Sequence, residues 1–254
     1  MEKMQHDDTA TMTAEVTAAM TEQGPQQFPG LLATIGFIVL YFVLQGLCTG
    51  IIMAATQDGL ATSPVPQPMS IIFGLVASAI VQLALMWLYL RRNDRMAHLG
   101  LDSFGRISLH RATGLAFLLV IAAMAFNFVY ATYVIPGVGM QEEMEKILAG
   151  IARTPVNMVA MFFAIAIAAP VVEELLFRGL LQNALTKYLP IWGAILLSSF
   201  LFALVHLQPY AIPGLMSLSI AFGYLYHRTG SLRTNIILHM ANNAFALLVS
   251  QVLN

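Results

Sequence analysis

The sequence predicts an all-α fold, a polytopic transmembrane bundle of about seven spans with its functional residues between the last four helices. Three observations carry that prediction. Of 254 residues, 58% are hydrophobic and only 10% charged, against roughly 25% charged in an ordinary soluble domain. Apolar stretches without a charged side chain follow one another along the chain, most reaching or approaching the ~20 residues that cross a bilayer core as a helix. Arginines gather in one connection between those stretches, as cytoplasmic loops of membrane proteins do.

Taken in order, residues 1–28 form an acidic, Thr/Ala/Gln-rich segment. It lacks the basic start and short apolar core of a signal peptide and reads as a disordered tail, with a nascent helix expected near residues 11–22. Residues 29–154 hold the first three spans, expected over Leu31–Thr56, Ser70–Leu90 and Ala112–Gln141. Residues 155–254 form the C-terminal core, with uncharged stretches over Thr154–Val172, Tyr188–Val205, Leu207–Tyr226 and Thr234–Asn254. In the first of these four the helical pattern runs on past Glu173 toward Lys187. Pro136, Gly137 and Gly139 close the third span, and Pro190, Pro209 and Pro213 fall near helix starts.

Between the second and third spans, "RRNDRMAHLGLDSFGRISLHR" sets Arg91, Arg92, Arg95, Arg106 and Arg111 against two aspartates. The positive-inside rule makes this segment cytoplasmic. Parity then places the N-terminus and the connections bearing Lys187, Arg228 and Arg233 inside, and the "QEEMEKILAGIAR" segment and the C-terminus outside. A formal net charge of −1 offers no basic patch, so nucleic acid is excluded as a partner; the lipid bilayer is the expected surroundings. Cys48, the only cysteine, can form no internal disulfide and reads as a small buried core residue.

Inside the apolar stretches, ionisable and amide groups concentrate in the C-terminal core: Glu173, Glu174 and Arg178, then His206, then His239 with Asn242 and Asn243. The first three spans offer Gln45, Gln82 and Asn127. A charge at the bilayer centre costs ~2.5–3.5 kcal/mol on insertion scales, so such groups are functional candidates by default. Glu174 and Arg178 stand four apart and share a helix face. Glu173, turned by about 100° from its neighbour, is left without that cation. His239 and Asn243 share a face of the last helix, and Phe202 sits one turn below His206. Counting residues from the turn near Tyr188–Pro190 puts Glu173 and His206 within a few ångströms in depth at ~1.5 Å per residue. Each feature has a bland alternative: the Glu174–Arg178 pair as structural glue, His206 as a helix-end residue, His239 and Asn243 as bridges between helices.

A carboxylate free of counter-ion beside two imidazoles and a carboxamide is suited to activating water. Glu173 would act as general base, His206 would bind or polarise the same water, and His239 with Asn243 would stabilise an oxyanion. No HExxH or GxSxG pattern is present, so neither a zincin nor a serine hydrolase is indicated. "EELLFR" at 173–178, "FALVH" at 202–206 and "HMANN" at 239–243 together resemble the EExxxR, FxxxH and HxxxN motifs of the CPBP family, the CAAX proteases and bacteriocin-processing enzymes also called Abi. The resemblance covers residues 155–254; the first three spans share only their hydrophobicity. It implies an intramembrane endopeptidase of a bacterial cell membrane, with catalytic positions at Glu173, Glu174, Arg178, His206, His239 and Asn243. The implied substrate is a CAAX-like, bacteriocin-related or other membrane-associated peptide or protein. It leaves open whether a divalent metal such as zinc is bound; if one is, Glu173, His206 and His239 are its expected ligands. Two readings of other classes stand beside it: a non-catalytic immunity or scaffold protein, and a proton-coupled transporter.

Overall fold

The computed structural model describes residues 28–56, 68–92, 95–136, 146 and 150–253. The expected nascent helix at residues 11–22, Gly137 and Gly139, and most of the "QEEMEKILAGIAR" segment lie outside the described residues. Among those described, no strand occurs and eight helices follow in order: α1 Leu31–Ala55, α2 Pro68–Leu90, the single turn α3 Arg95–His98, α4 Leu109–Val134, α5 Pro155–Leu185, α6 Ile191–Leu204, α7 Ile212–Thr229 and α8 Leu232–Leu253. Seven of them coincide with the seven apolar stretches. Helices α1, α2, α4 and α5 are long and apolar enough to cross a membrane unaided, and the protein is an integral membrane helical bundle.

As the pattern past Glu173 indicates, helix α5 does not stop at Val172; it is a single helix of 31 residues, and the Glu174–Arg178 pair and the polar groups facing it let the helix carry charge through its middle. One length differs from expectation. Helix α6 has only 14 residues, a rise of ~21 Å, short of the ~30 Å hydrocarbon core. His206 therefore follows the helix end rather than lying within it, and the chain passes through a short 3₁₀ turn at Pro209–Ala211 before α7. Irregular backbone at membrane depth is tolerated where it is covered by protein or lines a wet cavity.

Local chemistry explains the boundaries. Thr154 caps α5, its hydroxyl accepting from the Asn157 N–H at 3.3 Å, with Pro155 in the first turn, where a missing N–H costs nothing. Helix α7 ends at Gly230, left-handed at φ 66°, whose N–H reaches the Tyr226 carbonyl. Ser231 caps α8 by accepting from Thr234 N–H at 3.1 Å.

Packing is antiparallel between chain neighbours. Helices α1 and α2 approach so closely at Gly74 that a Cβ there would collide with Thr49, and the Gln82 amide donates to the Phe37 carbonyl at 3.0 Å. Helices α6 and α7 stack Trp192 on Tyr224, centroids 5.4 Å apart. Cys48, expected to be buried, is a half-buried free thiol, since this part of α1 turns much of its surface outward. At the cytoplasmic end assigned from sequence, the loop after α3 is tied to the α7–α8 turn. Arg106 N–H donates to the Thr229 carbonyl (2.7 Å), Leu232 N–H to Leu99 (3.1 Å), and the Ser231 hydroxyl to Ser103 (2.6 Å). Gly100 and Gly105 have φ of 67° and 94°, and a Cβ on either would strike the backbone of that turn, so glycine is required at both.

Helix α5 is the centre of the bundle, with every residue from Glu174 to Gln182 buried. Its hydrogen bonding widens to the i→i+5 pattern over Phe163–Ala168 and again over Glu174–Gln182, the kind of π-helical turn that often marks functional sites.

Candidate active site

The neighbouring glutamates of α5 meet different surroundings. Glu174 is fully buried, and its carboxylate is surrounded: Arg178 Nη1 stands 3.1 Å from Oε1, His239 Nδ1 2.8 Å from the same oxygen, and Asn235 Nδ2 donates to Oε2 at 2.5 Å. The Arg178 contact is an ion pair whose angle does not make a hydrogen bond. The guanidinium bonds instead through Nη2, donating to the Ser219 carbonyl and hydroxyl on α7, both at 3.2 Å. A buried charge is tolerable only when paired and hydrogen-bonded, and this set meets that condition for both partners.

Glu173 is unlike its neighbour: its side chain is 18% exposed, and its nearest cationic candidate is His239 Nε2 at 3.9 Å, beyond hydrogen-bonding reach. The expectation that Glu174 takes Arg178 while Glu173 is left free matches this geometry. Its physical origin is the ~100° turn between successive helical residues.

His239 lies between the two carboxylates, its ring stacked on Phe222 at 4.6 Å. A carboxylate only accepts, so the Nδ1 facing Glu174 carries a proton and Nε2 is the atom presented toward Glu173. His206 is fixed by similar logic: Nδ1 lies 2.7 Å from the Phe202 carbonyl, which also only accepts, leaving Nε2 of the neutral ring with a free lone pair. The Phe202 ring sits 4.8 Å from His206 and 4.9 Å from the Arg178 guanidinium, so it joins the end of α6 to the α5 charge pair.

Asn243 meets α5 at the first π-helical turn. The Ala169 N–H bonds the Ala164 carbonyl. In that pattern the Ile165 carbonyl would need an N–H from residue 170, which is a proline and has none. Asn243 Nδ2 supplies the missing donor at 3.2 Å, and its Oδ1 accepts from Asn242 at 3.3 Å. One amide hydrogen of Asn243 is therefore structural and the other is unassigned.

Glu173, Glu174, Arg178 and His239 thus meet between α5 and α8, Asn243 on the same face of α8 bonds α5 at Ile165, and His206 is linked to Arg178 through Phe202. The metal expectation fares differently. Among the described residues, no group of three or more His, Cys, Asp or Glu side chains is gathered closely enough to hold a metal ion. His239 has its Nδ1 turned to Glu174, and His206 has its Nδ1 turned to the Phe202 carbonyl. The residues present do not fit the three-ligand centre of Glu173, His206 and His239. Sequence reasoning missed Asn235, Ser219 and Phe222. Asn235 was open to discovery, since Asn235, His239 and Asn243 repeat at i, i+4, i+8 and line one face of α8.

A helical membrane bundle with a saturated carboxylate beside an unsaturated one, both addressed by histidine, defines a class of membrane protein built around a polar interior. Residues 155–245 match the family described as type II CAAX prenyl endopeptidase Rce1-like. It is 27% identical over 149 residues to "Putative membrane peptidase YdiL" of Bacillus subtilis (strain 168), an alignment covering 58% of this chain and 58% of that relative's length. No solved structure matches.

Proposed function

We propose that this protein is an intramembrane endopeptidase that hydrolyses a peptide bond with Glu173 as general base. The observation that carries the reading is the asymmetry of the carboxylates: Glu174 is saturated by Arg178, His239 and Asn235, whereas Glu173 holds a free carboxylate near His239 Nε2. A base must have an unclaimed lone pair within reach of the proton it removes.

In this mechanism a water donates one hydrogen bond to Glu173 and another to the free Nε2 of His206. Glu173 takes the proton as the oxygen attacks the scissile carbonyl carbon. The resulting oxyanion is met by Nε2–H of a protonated His239, which Glu174 orients from the other side, and by the second amide hydrogen of Asn243. The tetrahedral carbon then expels the amine as the C–N bond breaks, and the proton held on Glu173 passes to the leaving nitrogen. Arg178 takes no proton; it fixes Glu174. No step runs through a metal. The substrate is a peptide or membrane-associated protein with a CAAX-like or other membrane-proximal segment, reaching the site from the cytoplasmic side of a bacterial cell membrane.

Purified full-length protein in detergent, given quenched peptides with and without a prenylated cysteine, tests this directly. Cleavage by the wild type that disappears in Glu173→Gln is the expected result; cleavage by the variant at the wild-type rate would remove Glu173 from the chemistry. Cysteines placed at Ser103 and Arg228, both exposed, should label only from the cytoplasmic side, and labelling from outside would reverse the orientation.

A further inference from the structure

Helix α6 ends on an unusual residue. Among the described residues, Leu207, directly after His206, is the one other than glycine with a positive φ, at 55°. Glycine and asparagine adopt that left-handed conformation readily, and a bulky side chain there is an outlier. Packing does not account for it, because the Leu207 side chain is 86% exposed. The hydrogen bonds around it show what the conformation does. Val205 N–H still reaches the Leu201 carbonyl, four residues back, at 3.1 Å, but the next two N–H groups reach only three back: His206 to Ala203 at 3.3 Å and Leu207 to Leu204 at 3.1 Å. The tightened turn passes over the Phe202 carbonyl, and that carbonyl is the one the His206 ring takes through Nδ1 at 2.7 Å. With Leu207 right-handed, α6 could run on to Pro209, which disfavours helix at Gln208. His206 N–H would then point at the Phe202 carbonyl, in the place the ring now holds.

Resting on the endopeptidase reading, we propose that Leu207 is a positioning residue for His206. Its left-handed backbone ends α6 so that the Phe202 carbonyl holds Nδ1–H and Nε2 keeps its lone pair for the attacking water. A neutral imidazole with its proton on the other nitrogen would present a donor where an acceptor is needed. The device lies in the backbone of Leu207 and not in its side chain. Sparsely populated backbone conformations of this kind cluster at active sites, where the surrounding structure holds them.

Two substitutions with opposite backbone preferences test this on the full-length protein in detergent. Leu207→Ile keeps the composition of the side chain but, being β-branched, resists a positive φ; Leu207→Gly discards the side chain and adopts that φ freely. Nitrogen NMR spectra of isotope-labelled histidines, with the His206 signals assigned by their loss in His206→Gln, need no substrate. They should show the neutral ring protonated on Nδ1 in the wild type and in Leu207→Gly, and a shift toward protonated Nε2 in Leu207→Ile. The unfolding temperature should rise by about 2–4 °C in Leu207→Gly and fall by a similar amount in Leu207→Ile. On a peptide cleaved by the wild type, Leu207→Ile should lower kcat roughly ten- to a hundredfold with KM within about twofold, and Leu207→Gly should keep kcat within about twofold. A wild-type tautomer or a wild-type kcat in Leu207→Ile overturns the proposal. So does a Leu207→Gly protein as slow as Leu207→Ile, which would place the effect in the side chain. If the wild type cleaves nothing, the endopeptidase reading fails, and the tautomer alone decides whether Leu207 sets the His206 ring.

Discussion

Helices α4 and α5 are similarly apolar by composition and opposite in where they place their side chains. Helix α4 leaves Phe117, Leu118, Phe128 and Tyr133 exposed on the bundle's outside. Helix α5 buries nine successive residues, Glu174 to Gln182, among them a carboxylate, a guanidinium and an amide. In water such an arrangement would be inverted. In a bilayer the lipid tails solvate Phe and Leu as well as a core does, so apolar side chains gain little by facing inward. The polar groups are what must be enclosed, because nothing outside can hydrogen-bond them. The contrast shows that the register of α5 is set by its polar contacts, whereas α4 packs through small residues, Ala112, Ala116 and Ala123, and leaves its large apolar side chains outward.

Substitutions can break or sharpen that contrast. The largest loss is expected inside α5 and its partners. Glu173→Gln, His206→Ala and His239→Ala should each reduce proteolysis by ~10²- to 10⁴-fold, the range of general acid–base catalysis. Glu173→Gln and His206→Ala should leave the unfolding temperature near the wild-type value, whereas His239→Ala should lower it, because it strips a hydrogen bond from buried Glu174. A His239→Ala protein as stable as Glu173→Gln would show that the Glu174 contact contributes nothing to the fold.

Glu174→Gln should be primarily a folding defect, since breaking a buried ion pair costs ~3–5 kcal/mol. Adding Arg178→Gln to it should recover part of the lost thermal stability; adding the same change to Glu173→Gln should not. A stable, inactive Glu174→Gln protein alongside a fully active Glu173→Gln protein would exchange the roles of the two carboxylates.

Asn243→Ala combines both kinds of effect on a smaller scale. Loss of one oxyanion donor reduces turnover by ~10²- to 10³-fold, and the Ile165 carbonyl is left without its donor, for ~1–3 kcal/mol of stability. Activity and stability measured on one preparation separate the two contributions. The smallest effect belongs to α4: Leu118→Ala, on an exposed position, should change stability by no more than about 0.5 kcal/mol. A large loss there would mean that α4 is covered by protein rather than lipid.

Much of the architecture could be read from the chain because hydrophobic length translates directly into spanning helices. The pairing of Glu174 with Arg178, the freedom of Glu173 and the Phe202–His206 contact followed from helical spacing alone. What spacing could not show is backbone that departs from 3.6 residues per turn. The two π-helical turns of α5 leave no pattern in composition, and the shortness of α6 is hidden because the apolar run continues through residues that are not helical. Whether a metal is bound was left open by the sequence, because ligand-type residues at similar depth do not by themselves fix which ring nitrogens face one another. Ser219 escaped notice because a single hydroxyl in an apolar helix is common, and only the fold brings it to Arg178.

The wide turn at Phe163–Ala168 holds about one residue more than ordinary helix would over the same arc. Removing one of its six residues would let α5 close into ordinary helix with no loss of hydrophobicity. Because an i→i+5 turn advances by roughly 80° per residue against about 100° in an α-helix, the loss of a residue and the tightening of the turn nearly cancel, and Glu173, Glu174 and Arg178 would keep facing α8. The same deletion within the regular turns at Pro155–Phe162 has no such slack, and would rotate the segments on its two sides by about 100° relative to one another; the wide turn is where this helix can change length without changing direction.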